Sequence, residues 1–458
     1  MRRQSTSERH SNQPAREQAP FNVPVVAVAL LLAIVFVVWA VLAPSNRPDR
    51  APNASQAPSK QPPAHGPKHR SGHPAQGAVP TAPTAPSAPA SRTKPVSHIT
   101  KSNPALRTIP ASIAKDCSKD VTSALARWIA SVPNGSILSF APQGCYRIDR
   151  SLRIEGRWGL TFEGNGATFK AGTEGDLNRR HLWFVGGGNL RIRNVTVRGA
   201  HPSAGANAHS YHPDREGQAA FEFAGVHGAV LENSRAYDVY GDFVLIWYDI
   251  RCPHPCPPST FSQNITIRNN RFERNGRHGV TVLAARDITI DGNYFGEIGF
   301  DGIDVEADGP RQRVDNLVIR RNKFGPVWLL PLGFGGPAPV TGVSITDNTM
   351  NVKAGTPVLL VDAPQGSQWS GFRIERNTFL IGSSPRGGIE FRRTTDVVVR
   401  GNVLAMPPSP WGSDMAVVKL FDAHTVRVTD NLIKGDFDTI LWADPPSSDY
   451  SESGNKKG

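Results

Sequence analysis

Two signatures of common enzyme chemistry are missing from these 458 residues. Gly186-Gly187-Gly188 is followed by neither a helix pattern nor a Lys, so no glycine loop cradles a phosphate. A serine nucleophile elbow is also absent. Nucleotide chemistry and ordinary ester hydrolysis are therefore disfavoured. Cysteine is scarce, with 4 in the whole chain: Cys117, Cys145, Cys252 and Cys256. An even count, all of it beyond the long apolar run described next, suits an oxidising compartment, with Cys117–Cys145 and Cys252–Cys256 as the expected local pairs. The loop between Cys252 and Cys256 is too short for zinc without two further ligands.

Long apolar runs are rare too. One stands out, Val23 to Ala43, which carries no charge. Its length matches the roughly 20 apolar residues that cross a bilayer core. A cleaved leader ending at Val41-Leu42-Ala43 is the competing reading. The run exceeds the usual leader core of roughly 7–15 residues, and Pro44 follows the would-be cut. A transmembrane helix over 23–43 is thus expected, with residues 1–22 as a basic cytoplasmic tail. The cysteines place the C-terminal side outside the cell membrane as a single-pass extracellular domain.

Acidic residues are in deficit, leaving a formal charge of +12, and its location matters. The tail contributes +2 and the stretch from Pro44 to Thr108 contributes +8, so only +2 remains for the rest. A nearly neutral body argues against nucleic acid as its partner. Residues 44–108 are rich in Pro, Ala, Ser and Gln and poor in apolar side chains, which predicts a disordered linker. A fold is expected over 109–445, opened by a helix from Ser118 to Ala130 with Val121, Leu125, Trp128 and Ile129 on one stripe. Residues 446–458 read as a disordered tail.

Within 109–445 one phrase recurs: three alternating strand residues, two polar or Gly residues, an Asn, and a short apolar strand. Ile265-Thr266-Ile267 leads to Asn270, Ile288-Thr289-Ile290 to Asn293 and Leu317-Val318-Ile319 to Asn322; Asn348, Asn377, Asn402 and Asn431 end later copies, Asn194 and Asn233 looser ones. From Asn270 onward the spacings are 23, 29, 26, 29, 25 and 29. Such a period, with three short strands per turn, predicts an all-β parallel β-helix solenoid whose coils bury a continuous core. The Asn would occupy a left-handed turn and pair with its equivalent one coil away, about 4.8 Å distant. The spaced Leu of a leucine-rich repeat is missing. Over roughly 109–445 the pattern resembles the pectate-lyase-like right-handed parallel β-helix superfamily. That resemblance implies a tendency towards polysaccharides without specifying a reaction.

Aligning the coils superimposes His278-Gly279-Val280-Thr281-Val282 on Asp301-Gly302-Ile303-Asp304-Val305-Glu306. Period two then sends Thr281, Asp304 and Glu306 outward. The same register adds Trp183, Glu222, Val244, Leu359, Glu390 and Lys419 to the outward column, with Arg392 beside it and Asp242 next to Gly279 and Gly302. Such a groove offers the aromatic and charged groups that glycans need, and Asp242, His278, Asp304 and Glu306 are the candidate catalytic residues. Trp183, Glu222, Tyr248, Arg277, Asp301, Glu390, Arg392 and Lys419 are candidate substrate contacts. Asp304 and Glu306, about 6.6 Å apart as alternate strand residues, would approach the roughly 6.5–9.5 Å of inverting glycosidases. The same carboxylates offer the oxygen ligands that Ca²⁺ prefers. In a lyase or C5-epimerase, His278, Arg277 or Tyr248 would act on a uronate.

Tyr240-Gly241-Asp242 with Arg277-His278-Gly279 resembles the catalytic region of alginate C5-epimerases, although Phe243-Val244 stands where that family has its His. Asp301-Gly302-Ile303-Asp304 is similar to part of the polygalacturonase signature, without its Asp-Asp and Gly-His-Gly elements. His201, His209 and His212 with Asp214 are too loosely spaced for a metal site and read as a surface loop or lid. The sequence therefore leads to a membrane-anchored β-helix that binds an acidic polysaccharide or cell-envelope glycan and either cleaves or epimerises it, or serves as a non-catalytic adhesive scaffold.

Overall fold

In the computed structural model, residues 104–458 are described apart from 254–255, 308, 310–311, 353–356, 382–387, 406–415, 436 and 438. The expected tail, transmembrane helix and most of the linker lie outside the described residues. Among the described residues no helix is long and apolar enough to cross a membrane.

The repeated phrases form a parallel β-helix. One face is an 11-stranded parallel sheet running from Leu152–Glu155 to Thr439–Ala443. The other strands join a 24-stranded sheet, because Thr161–Lys170 and Gly188–Arg198 run on through a corner. Alternate residues point inward, so Phe272, Phe295 and Phe324 stack at centroid distances of 5.5 and 5.0 Å within one continuous core.

The ladder is a hydrogen-bonded device. Asn293 Oδ1 accepts both the backbone N–H (2.9 Å) and the Nδ2–H (3.0 Å) of Asn270. The same pair of bonds links each successive Asn from 293 to 431 with the next, ending on Asn455. Each Nδ2 also donates to a strand carbonyl, as Asn322 does to Ile290 at 2.8 Å. The left-handed residue is not the Asn but the one before it: Asn269, Arg321, Asp347, Arg376 and Asp430 all have φ between 54° and 58°. Asn194 and Asn233 take that preceding position, and the rung in Asn233's coil is Ser234, whose N–H donates to Asn270 Oδ1 at 2.9 Å.

The fold extends past both expected boundaries. Leu106–Thr108 pairs with Ile137–Ser139, and Asp116–Asp120 is a strand joined to its neighbour by the Cys117–Cys145 disulfide. The helix therefore begins at Thr122, whose N–H is accepted by Asp120 Oδ1 at 2.9 Å, and ends at Ser131. Leu125, Trp128 and Ile129 are buried, and the helix packs against the edge strand Leu152–Glu155. At the other end residues 446–458 are not a tail: Ser448–Ser453 and Lys456–Lys457 complete a further coil on Asn455. Its core-facing positions hold Tyr450 and Glu452 opposite Val426 and Val428, so the apolar alternation that marks other coils is missing there.

One outward column alternates in sign. Glu163, Arg193, Glu232, Arg268, Asp291 and Arg320 are successive cross-strand neighbours, so each lies beside the opposite charge on the next coil. Arg268 and Glu232 approach to 2.5 Å, Arg320 and Asp291 to 3.1 Å.

Asn348→Ala would strand the N–H groups of Asn322 and the carbonyl of Ile319. At about 1–3 kcal/mol for a buried unsatisfied group, urea unfolding should show a loss of about 3 kcal/mol, whereas a loss below about 1 kcal/mol would mean the ladder carries little.

Candidate functional site

On the 11-stranded sheet, Val280–Val282 pairs in register with Ile303–Glu306, and that strand with Leu332–Gly335. Val280, Val282, Ile303 and Val305 face the core; Thr281, Asp304 and Gly333 share an outward column, with Glu306 opposite Gly335 in the next. Glu222, Trp183, Glu390 and Lys419 belong to the Asp304 column as expected. Val244 and Leu359 do not: both are core residues, and Leu245 and Leu360 take their places. The first displacement follows from the ladder, since counting from Asn233 instead of Ser234 moves that coil by one residue. The second reflects a loop one residue longer after Asn348.

The same shift relocates Asp242. Phe243 N–H bonds His278 O, and Gly279 N–H bonds Asp301 O, so Asp242, His278 and Asp301 align on consecutive coils just before their strands. Gly279 and Gly302 are required there: a Cβ on either would meet a backbone carbonyl at 2.3 and 2.6 Å. Asn275, fully buried, fastens the turn by donating to Gly241 O at 3.0 Å and His278 O at 2.6 Å.

Arg277 sits at the centre. Its Nη1 is 3.1 Å from Asp242 Oδ2, its Nη2 is 3.2 Å from Glu306 Oε2, and its Nε is 3.6 Å from Glu216 Oε2. Burial opposes its charge, but Asp242, Glu306 and Glu216 more than compensate and hold the guanidinium well above its ordinary range. It is thus committed to three carboxylates and is no free counter-ion for a uronate. Glu216 comes from the insertion after His201, where Tyr211 also donates to it at 2.7 Å. These two were not legible, because an insertion has no place in the repeat. His201, expected on a surface loop, is instead buried, stacked 4.2 Å from Tyr240, with Nε2 2.7 Å from Ser210 O.

His278 is buried, and its Nδ1 accepts the Asp301 N–H at 3.3 Å. Burial, then Arg277, pushes its pKa well below the usual imidazole range, so the neutral ring carries its proton on Nε2. Nε2 lies 3.2 Å from Asp304 Oδ2. The contact is out of line for a hydrogen bond, since Oδ2 is buried without a partner. A ring in this state presents no lone pair towards Asp304. His278, Asp304 and Glu306 bring potential ligand atoms within 4.8 Å of one another.

The carboxyls differ by environment. Asp304 is driven well above the usual carboxyl range by burial, then by Glu306 and Asp301. Burial pushes Asp301 up to about 8, although its carboxylate accepts the Leu330 N–H at 2.8 Å. Asp242 is pushed up to about 6 by burial, against the pull of Arg277. Glu306 is the most open of the four, its side chain 26% exposed. The approach of Asp304 to Glu306, within 4.8 Å, falls short of the wider inverting separation expected from their strand positions.

The remaining candidates lie elsewhere on this face. Glu222 is fully buried, 2.7 Å from Arg180 Nε, and accepts Trp247 Nε1–H at 3.0 Å; Trp183 packs under Arg153 and Arg180. Tyr248 packs on Trp247 at 5.1 Å. Glu390 pairs with Arg392 at 3.1 Å and with Lys419 at 3.9 Å. Three coil spacings put this last group about 14 Å from Asp304. Both disulfides have the expected pairing.

A family model described as a right-handed β-helix region matches residues 180–354 and 259–448. Among curated proteins, an α-1,3-galactosidase A of Bacteroides thetaiotaomicron is 21% identical over 180 residues, covering 38% of this chain and 28% of its own length. The chain thus spans little more than a quarter of that relative. Two solved structures share the fold. A surface adhesin of Streptococcus pneumoniae has TM-score 0.51 and 13% identity, covering 77% of this chain and 92% of its own. A tailspike of an Escherichia coli bacteriophage, solved with a pentasaccharide, has TM-score 0.50 and 12% identity, covering 76% and 64%.

Asp301 binds its proton more tightly folded than unfolded, so between its ordinary 3.8 and about 8 the native state holds more protons and stability falls as pH rises. Asp301→Asn removes that slope. Its melting temperature should gain on wild type between pH 4 and pH 8; a pH-independent difference would mean Asp301 is ionised in the fold.

Proposed function

The chain belongs to the family of right-handed β-helix regions, and on that premise we propose that it hydrolyses a neutral glycan at the Asp304–Glu306 pair. One observation carries the reading: a buried carboxyl, Asp304, whose hold on its proton burial raises well above the ordinary carboxyl range, set within 4.8 Å of a second carboxyl, Glu306, that is anchored on Arg277. Glycoside cleavage needs that division of labour. Asp304 gives its proton to the departing glycosidic oxygen while the Glu306 carboxylate bonds to the anomeric carbon; water, deprotonated by Asp304, then displaces Glu306 and restores the proton to Asp304. Arg277 acts by position, holding Glu306 and Asp242 in place.

A neutral sugar is favoured over the acidic polysaccharide of the sequence reading, because Arg277, the cation beside Asp304 and Glu306 among the described residues, is already surrounded by carboxylates. A lyase or epimerase would need a base that His278 does not supply. The galactosidase relative makes α-1,3-linked galactosides the first substrates to offer. Purified residues 104–458 should release galactose from α-1,3-galactobiose in a proton NMR assay, and Asp304→Asn should lower the rate by about 10³-fold, the usual scale for a general acid. Glycan binding with no product from any member of a neutral panel would instead establish the adhesive scaffold.

We further propose that residues 23–43 tether the solenoid outside the cell membrane as a single-pass anchor. The disulfides Cys117–Cys145 and Cys252–Cys256 support an oxidising location. Full-length protein should stay with membranes after alkaline carbonate washing and be shaved from intact cells by protease; release by carbonate would remove the anchor.

A further inference from the structure

A second outward face of the 24-stranded sheet breaks the charge rule that the Glu163–Arg320 column keeps. Lys170 and Arg198 are cross-strand partners, and so are Arg235 and Arg271. Cations set directly opposite one another, about 4.8 Å apart, weaken a sheet. Their surroundings do not cancel them. Arg198 and Arg274 share Asp238, and Arg235 and Arg271 share Glu273, so four guanidinium groups rest on two carboxylates. Glu297 adds a negative charge near Arg274, and Lys170, with no carboxylate partner among the described residues, adds a positive one. Around Arg277 the balance is the reverse, one cation among three carboxylates.

A cavity of about 270 Å³ opens among these groups. That is a little below the roughly 300–1,000 Å³ of pockets for drug-sized ligands, a size for one sugar ring. Thr168, Thr196 and Arg235 line it as successive cross-strand neighbours, joined by Tyr237, Arg274 and Gln143. The three hydroxyls of Thr168, Thr196 and Tyr237 and the Gln143 amide make no hydrogen bond among the described residues. Tyr237 is nonetheless fixed in place, with Arg198 and Arg274 at 5.7 and 5.6 Å from its ring centroid. Glu273, the carboxylate of the lining, is held by Arg271 at 2.5 Å, which leaves Arg235 only a loose contact with it at 3.6 Å.

We infer that this cavity binds an acidic sugar of a polysaccharide, with the sugar carboxylate on Arg235 and the ring hydroxyls on Thr168, Thr196 and Gln143. A guanidinium receives a carboxylate through two parallel N–H bonds, and an external anion relieves the Arg235–Arg271 repulsion that the protein leaves standing. None of the lining residues belongs to the Asp304 site, so the inference does not depend on hydrolysis there. The molecule thus has separate places for two glycans, an acidic one that it holds and a neutral one that it cuts.

Calorimetry on the full-length protein at low salt tests this with trigalacturonate, its carboxyl-reduced counterpart galactotriose, and a sulfated galacto-oligosaccharide. Wild type and Asp304→Asn should bind trigalacturonate alike, and added salt should weaken both. Arg235→Gln should lose about tenfold or more in affinity. Its melting temperature should match or exceed that of wild type, since a like-charge pair is removed, and this separates lost binding from lost folding. Equal affinity of wild type for galactotriose, or a preference for the sulfated sugar, would overturn the acidic-sugar assignment. Unchanged binding in Arg235→Gln, loss of binding in Asp304→Asn, or no binding of trigalacturonate by wild type would overturn the site.

Discussion

Everything on the outer face of this solenoid is placed by one hydrogen-bonding unit, the asparagine amide whose oxygen accepts two N–H groups from the coil before it. Because both acceptor positions are filled, a coil cannot slide along its neighbour without leaving buried donors unpaired. The residue before the Asn turns the chain in the left-handed region, and from that corner a run of 10 residues leads to the strand at Val280, Ile303 and Leu332 alike. The ladder therefore decides that Asp304 faces out beside Gly333, and that Asp242, His278 and Asp301 align.

Architecture was legible because a period of strand, turn and Asn is written in residue types that burial demands. The Thr281–Asp304 pairing and both disulfides were legible for the same local reasons. Failures came where the periodic signal thins. Ser234 can occupy an Asn rung with its backbone N–H, so the eye settles on Asn233 and the coil slips by one. The last coil hides behind Ser448 to Ser453 because all of these are exposed. His278 looked like a base, and only its backbone acceptor contact reveals which nitrogen holds the proton. Glu216 and Tyr211 arrive from an insertion that the period does not register.

The site places its destabilising groups where the scaffold is thickest. Asp301 and Asp304, both buried and both shifted above the ordinary carboxyl range by that burial, lie on a coil with several others stacked on either side, so their cost is spread over a cooperative array. Arg277 touches Asp242 and Glu306 and reaches Asp304 only at a distance, so burial prevails at Asp304 and holds its carboxyl well above the ordinary range.

The column from Glu163 to Arg320 has an evolutionary corollary. Sign alternates at every coil, so the stack behaves as a sequence with a parity. Duplicating or deleting a single coil within it would set like charges about 4.8 Å apart, whereas gaining or losing two coils would restore the pattern. Lengthening of this part of the molecule is therefore easiest in even steps, and the unit of inheritance along it is a pair of coils.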